Sequence, residues 1–361
     1  MVTTKKLLIS VAGQGDKFLP NQENFGWPSP VLYKELESLG YKMTELPSGN
    51  FLLCINHDPK AYTSFIHRGN RKENTVLIRM EPESVYPVQY TNKVESLYGL
   101  VLTPGLVKEN FDDDYFVCHP YTFQMMHGGP SFSDPNLEVL LSESISNFKF
   151  DSKNWMARDK KIVMLASNKF SPVINSGYSI RRKIAKIYKN SEILEIYGQY
   201  WTVSFLFKLY LYLAMIKFNI ISGYIPTFNL NQLKKIKSSS IKGSIAFKLE
   251  LLTDTKFLVI VENSPNFLTE KIFDAFFCGV IPIYCGPDLS KVGIPNTTYI
   301  KLNWDLSNLA ETMDSLCALN AQDYLNSILE FIRSEEFWCT WAEKAVYSKI
   351  ASEIDRYYRS I

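Results

Sequence analysis

The stretch 256-KFLVIVENSPNFLTEKIFDAFFCGVIPIYCG-286 decides how the rest of the chain is read. Lys256 to Val261 carries an unbroken apolar run of β-branched and aromatic residues, too short for a free-standing helix and typical of a parallel strand covered on both faces. Glu262-Asn263-Ser264-Pro265-Asn266 ends it with polar and turn-forming residues. From Thr269 the apolar positions Ile272, Phe273, Phe276 and Phe277 recur at helical spacing until Gly279, a suitable helix stop. Val280 to Tyr284 is a second apolar run, so the unit reads strand, loop, helix, strand, with a right-handed crossover. Its loop opens at the carboxyl end of the first strand, where open parallel sheets bind ligands and a helix N-terminus favours an anion. Glu270 suits the first helical turn, whereas Lys271 beside the positive end of the dipole costs about 0.3–1 kcal/mol unless an anion offsets it. A diphosphate would offset it; a lysine merely snorkelling from a surface helix is the plainer alternative.

Outside this unit, 361 residues exceed one ordinary domain and predict two of similar size. The 39 Lys+Arg against 37 Asp+Glu leave a formal charge of +2, which argues against a nucleic-acid binder relying on a basic surface. The cysteines, Cys54, Cys118, Cys278, Cys285, Cys317 and Cys339, are scattered without C-x-x-C pairs or histidines at ligand spacing, so neither a disulfide scaffold nor a zinc site is expected. The opening MVTTKKLLISVAG turns polar too soon for a signal peptide, which predicts a cytoplasmic protein.

In the first half, Lys6 to Val11 reads as a strand ending in a Gly13 to Gly15 turn, and Pro30 to Leu39 as a helix stopped by Gly40. That turn lacks the third glycine of a dinucleotide fingerprint and is read as a loop facing the cleft. Phe51 to Asn56, Thr75 to Met80 and Gly99 to Thr103 are further strands, the first two ending in Asn56-His57-Asp58 and Glu81-Pro82-Glu83. The polar segment Phe148 to Asp159 is the boundary, giving domains of 1–155 and 156–345 and a helical tail of 346–361. The second half opens with a strand, Lys161 to Ala166, ending in Ser167-Asn168-Lys169, then a helix from Ile180 to Tyr188 and a strand from Glu192 to Tyr197. Trp201 to Phe228 has an apolar core too short to span a bilayer, which needs about 20 residues. It fits either a buried helix or an amphipathic surface resting on a membrane, with Lys234, Lys235, Lys237 and Lys242 following. Near the end, Leu325, Ile328, Leu329 and Ile332 make an apolar helical stripe that closes the second domain or packs back across the first.

VENSPNFLTEKIFDAFFCGVIPIYCGP resembles the sugar-donor signature of the α1,3-fucosyltransferase family, through Glu262-Asn263-Ser264, Thr269-Glu270-Lys271, Gly279, Pro282 and Gly286. The Ser167-Asn168 strand end, the Arg181 and Arg182 helix and Glu195-Ile196-Tyr197-Gly198 are similar to what precedes that signature in the family, with Glu195 replacing an Asp. The resemblance implies an α/β protein of the GT-B type, two Rossmann-like domains facing across a cleft, that moves L-fucose from GDP-fucose to a glycan hydroxyl with inversion. A surface polysaccharide or lipopolysaccharide acceptor and an α1,3-type linkage are the implied finer features. It further implies a diphosphate held without a required metal or other cofactor, Arg181 as its arginine contact with Arg182 as fallback, and a catalytic base from the first domain.

The chemistry requires charge stabilisation for departing diphosphate, a base for the acceptor hydroxyl and a dry cleft. Lys271, Arg181 and Thr269 at the helix start are the diphosphate candidates, and Asn263 and Glu270 the partners for ribose or sugar hydroxyls. Glu262 is the candidate to face positive charge developing on the sugar. Glu81 is the matched base, Glu83 its alternative and His57 a rival at a neighbouring strand end. Ser167 is a further candidate contact. Phe267 departs from the family, which carries a Tyr two residues before the Thr, and the loop is shorter, so another sugar donor stays open. Asp112-Asp113-Asp114 imitates a D-x-D manganese site but reads as an acidic loop. An epimerase or hydrolase of similar architecture and a non-catalytic glycan-binding module are the competing functions.

Overall fold

The computed structural model describes residues 7–13, 30–44, 48–104, 116–119, 150–227, 229–245 and 248–361. Two sheets of six strands each organise them, and every strand pair is parallel. The first has the order β2-β1-β3-β4-β5-β6, with β1 Leu7–Gly13, β2 Tyr41–Thr44, β3 Phe51–Ile55, β4 Thr75–Ile78, β5 Leu100–Pro104 and β6 Phe116–His119. The second has the order β12-β11-β10-β7-β8-β9, with β7 Lys160–Leu165, β8 Leu194–Tyr197, β9 Ile241–Gly243, β10 Thr255–Val261, β11 Ile281–Cys285 and β12 Ile300–Lys301.

The opening stretch sits at the middle of the second sheet. β10 pairs with β11 through Val259↔Ile283 and with β7 through Val259↔Met164. Covered on both faces, it excludes water at Phe257 through Val261, as a continuous apolar run requires. The helix Lys271–Phe277 that joins β10 to β11 is buried from Ile272 through Phe277. Its Phe273 ring lies 5.8 Å from Phe337 and 5.1 Å from Trp341, centroid to centroid. Gly279 then turns the chain into β11 at φ +59°, a left-handed conformation that glycine adopts without steric cost.

Strand order reverses between β7 and β10: from β7 the chain winds outward through β8 and β9, from β10 through β11 and β12. Such a switch point leaves a crevice at the strand carboxyl ends, between Ala166-Ser167 on one side and Glu262-Asn263 on the other.

Leu325, Ile328 and Ile332 of the helix Ala321–Arg333 join the second sheet's core. The final helix, Glu343–Ser360, instead crosses to the first, where Tyr347, Ile350, Ile354 and Tyr358 pack with Ile9, Leu36 and Phe51. Tyr41 Oη donates to Asp355 at 2.9 Å and stitches it down. The halves also touch near the cleft, where Ser171 Oγ donates to the Ser84 carbonyl at 2.8 Å. The Asp112-Asp113-Asp114 loop, the cysteine Cys118 side chain and the Gln14-Gly15 part of the first turn lie outside the side chains described.

Candidate active site

A cavity of about 240 Å³ occupies the switch point of the second sheet. Leu165, Ala166, Ser167 and Lys169 come from the end of β7, Val259, Ile260 and Asn263 from β10 and its loop, and Lys248, Lys271 and Asp274 from the two helices flanking β10. Tyr178 and Arg181 reach it from the helix Gly177–Ile187. Gly198, ending β8, has φ +146°, and a Cβ there would stand 2.2 Å from the Ala166 carbonyl oxygen. Only glycine lets the β8 loop close against the β7 strand end and form that wall.

Arg181 is fixed from behind. Its Nε donates to the Val261 carbonyl at 3.1 Å and its Nη2 to Asn263 Oδ1 at 2.8 Å, and Cζ lies 4.9 Å from the centroid of the Tyr178 ring. Burial lowers its pKa, though an arginine stays charged regardless. Lys271 Nζ donates to Thr269 Oγ1 at 2.8 Å and is 3.9 Å from Glu270 Oε1. Lys169, exposed, and Lys248 complete a set of four cations on one cavity. Lys248 is paired with Asp274 at 2.7 Å, and burial raises that carboxyl to about 6 against the pull of Lys248.

Glu81 approaches from the first half. Its backbone is clamped on both sides: Asn56, held in the left-handed region at φ 55°, accepts from the N–H groups of Met80 and Glu81 at 2.8 and 3.0 Å. Gln89 Nε2 and Tyr90 Oη donate to the Glu81 carbonyl at 2.8 and 2.9 Å. The carboxylate has no hydrogen bond or ion pair among the described residues, yet it senses the other half: burial raises its pKa, Lys169 and Lys271 lower it and Glu270 raises it again. A carboxylate so desolvated and unengaged can take a proton. Neither Glu81 nor Glu83 lines the cavity itself; Glu81 acts electrostatically on its lining residue Tyr178, whereas Glu83 is exposed.

Several expected site residues are engaged elsewhere. Glu262 is fully buried and turned away from the cavity, accepting from Thr269 N–H and Oγ1 and, at 3.3 Å, from Tyr284 Oη. It cannot face a sugar from there, and its role is to hold the loop. Thr269 is correspondingly occupied, so its N–H is spent on Glu262 rather than open to phosphate. His57 is buried, its Nδ1 2.8 Å from Tyr98 Oη, and burial pushes its pKa down to about 4; it is a core histidine and not a rival base. Arg182 points away from the cavity: Nη1 donates to Asn168 Oδ1 at 2.7 Å and Nη2 to the carbonyls of Asn231 and Lys234. It fastens the lysine-rich loop, and Arg181 alone of the pair lines the cavity. Phe267 is buried and makes no part of the lining, so the missing Tyr hydroxyl is not replaced at that position. Ser167 does line the cavity, with its Oγ accepting from Gln199 N–H at 3.4 Å.

Tyr178 and Asp274 were missed although each lies three residues from a candidate on the same helix, Arg181 and Lys271, a spacing that shares a face. Lys248 opens a short helix, Lys248–Thr253, that holds no other candidate. Lys169, by contrast, directly follows the Ser167-Asn168 strand end, a position open to a functional reading.

A scan of protein-family models and a search of curated proteins find no match to the chain. Among solved structures it is similar to an α1,3-fucosyltransferase, with a TM-score of 0.52 and 15% identity over 100% of this chain and 91% of that one. It is also similar to a glycosyltransferase from Rickettsia africae ESF-5, with a TM-score of 0.50 and 9% identity over 99% of this chain and 100% of that one. At these identities the likeness establishes the fold, which is GT-B: two parallel-sheet α/β domains with the cation-lined crevice in the second.

Proposed function

We propose that the protein is an inverting glycosyltransferase that moves L-fucose from GDP-fucose to a hydroxyl of a glycan acceptor. The observation that carries the reading is the pairing of Glu81, an unengaged carboxylate, with a cavity lined by Lys169, Arg181, Lys248 and Lys271. Diphosphate suits a cavity of that charge, and the signature around Thr269-Glu270-Lys271, together with the fold shared with an α1,3-fucosyltransferase, favours GDP-fucose and an α1,3-type linkage. In the step envisaged, Glu81 takes the acceptor hydroxyl proton while that oxygen attacks the anomeric carbon. The bond from that carbon to the diphosphate oxygen breaks, and GDP departs with the electron pair. Lys271 and Arg181 stabilise its charge, the work that fixed cations perform best in a water-poor cleft. On this reading no metal ion is required.

Calorimetry with GDP, UDP and GDP-fucose tests the sugar donor, followed by acceptor-dependent GDP release in wild type, Lys271→Ala and Glu81→Ala. Binding of UDP without GDP would sink the fucosyl reading. A transferase using another nucleotide sugar is the second reading, and Phe267 favours it, since a buried phenyl ring offers no hydroxyl where the family carries one.

A further inference from the structure

The helix Phe205–Ile221 is built inside out. Lys208 and Asn219 are its buried polar residues, at 0% and 2% exposure, while Leu206, Tyr210, Leu213 and Ile221 are 76%, 67%, 54% and 74% exposed. Spacings of four, three and eight residues put those four on one stripe, opposite the buried Tyr212 and Ile216 that pack on Leu233. The Lys208 ammonium has no hydrogen-bond partner among the described residues. A helix with water on its outer face would carry polar residues there, whereas this one is apolar on both faces and keeps its lysine Lys208 inside. Past the helix, Ile225 and Leu230 are likewise exposed apolar side chains, at 89% and 66%.

The charge of this segment is one-sided, and exposed Glu83 of the first half, which acts electrostatically on Tyr224, is a carboxylate that reaches its end from outside. No Asp or Glu occurs between Glu195 and Glu250, whereas Lys217, Lys234, Lys235, Lys237 and Lys242 all lie in that interval and all are exposed. Leu233, against which the helix packs, leads directly into Lys234 and Lys235, and Lys235 acts electrostatically on Lys208, so the basic loop adjoins the helix. An apolar stripe that carries Lys217 within it, four residues from both Leu213 and Ile221, and that is followed by a lysine loop with no carboxylate in the segment, is complementary to an anionic lipid surface, where the apolar side chains enter the acyl boundary and the lysines snorkel to headgroup phosphates. A protein partner would need no such wholesale exclusion of acidic residues. With 17 residues the helix is about 25 Å long, and no helix of the described residues is long and apolar enough to cross a membrane.

We propose that the helix Phe205–Ile221 and the lysine loop after it seat the protein on anionic bilayers, parallel to the membrane plane. The proposal is independent of which sugar donor the cleft binds. The test is flotation of the full chain with vesicles of phosphatidylglycerol and phosphatidylcholine, against phosphatidylcholine alone. Wild type is expected to float with the anionic vesicles and to be released by high salt. Leu206→Glu with Leu213→Glu should lower the bound fraction at least tenfold without altering the thermal melt, since both side chains are exposed. Lys234→Ser, Lys235→Ser and Lys237→Ser together should weaken binding about a hundredfold. Failure of wild type to float, or flotation unchanged in both variants, overturns the proposal. So does self-association in sedimentation that the Leu206→Glu, Leu213→Glu variant abolishes without any lipid affinity in wild type, which would make the face a protein interface.

Discussion

Thr269 gives both of its hydrogen-bond donors to one carboxylate: its N–H lies 3.0 Å from Glu262 Oε1 and its Oγ1 2.6 Å from Oε2. Because the same Oγ1 accepts from Lys271 Nζ at 2.8 Å, the three residues form a chain from the end of β10 to the cation over the cavity. Thr269→Val keeps the shape and removes the relay, leaving a buried carboxylate oxygen short of a donor. The expected cost is about 1–3 kcal/mol in urea unfolding, with weaker GDP binding because Lys271 loses its tether. Thr269→Ser should keep most of both. Equal loss in the two variants would show that packing of the methyl, and not the hydroxyl, matters.

Glu81→Gln retains size and the backbone clamp from Asn56, Gln89 and Tyr90 but cannot accept a proton. On the proposed mechanism kcat falls by about 10²–10⁴, while the affinity for GDP in calorimetry stays within about twofold. Burial raises the Glu81 carboxyl and Lys169 and Lys271 lower it. The base works deprotonated, so kcat/KM falls as pH drops through a pKa above the ordinary 4.5 of a glutamate. Lys169→Ala removes one lowering charge and should move that acid limb to higher pH. A limb that stays in place would detach Lys169, or Glu81, from the proton transfer.

The β strands were legible where they were continuous and apolar. β3, β4, β5, β7, β10 and β11 are such runs, since strands buried on both faces have no polar positions to obscure them. β2, β6 and β9 were not, because each is a sheet edge of only three or four residues. The helix Pro59–Ile66 did have a signal in Asp58-Pro59: Asp58 Oδ1 caps the N–H groups of Lys60 and Ala61 at 3.0 Å each. In the site, the resemblance to the sugar-donor signature pointed to Arg181, Asn263 and Lys271, all of which line the cavity. It misassigned Glu262 because a carboxylate following an apolar strand looks the same whether it faces the cleft or turns inward. Only Tyr284 on the neighbouring strand and Thr269 across the loop reveal the direction.

His57 makes the fold acid-sensitive on its own account. Its pKa is lowered by burial from the ordinary 6.5 of a histidine to about 4, so the unfolded chain binds the proton more tightly than the folded one. Stability is therefore intact above about 6.5 and declines as pH falls toward about 4, by ~3 kcal/mol over the window, with no further loss from this group below it. His57→Gln should flatten that part of the profile in urea unfolding at pH 4.5 and 7, whatever its cost at neutral pH. An unchanged pH dependence would show that other groups carry the acid response.

Gly177 is where the helix carrying Arg181 meets the signature loop. Its N–H donates to the Asn263 carbonyl at 3.0 Å, and a Cβ built on it would lie 1.7 Å from the Glu262 carbonyl oxygen and 2.8 Å from its carbon. Backbone cannot yield as a flexible side-chain tip would, so Gly177→Ala must push the helix and the loop apart. At an unobstructed helix position the same change stabilises by about 0.5–1 kcal/mol, so its sign is diagnostic. Here a destabilisation of about 1–3 kcal/mol is expected. Arg181 lies one turn further along, bonded to Val261 and Asn263 on the far side of the contact, so GDP binding should weaken along with stability. Stabilisation by Gly177→Ala with full GDP affinity would mean that the close approach between this helix and the loop does not set the position of Arg181.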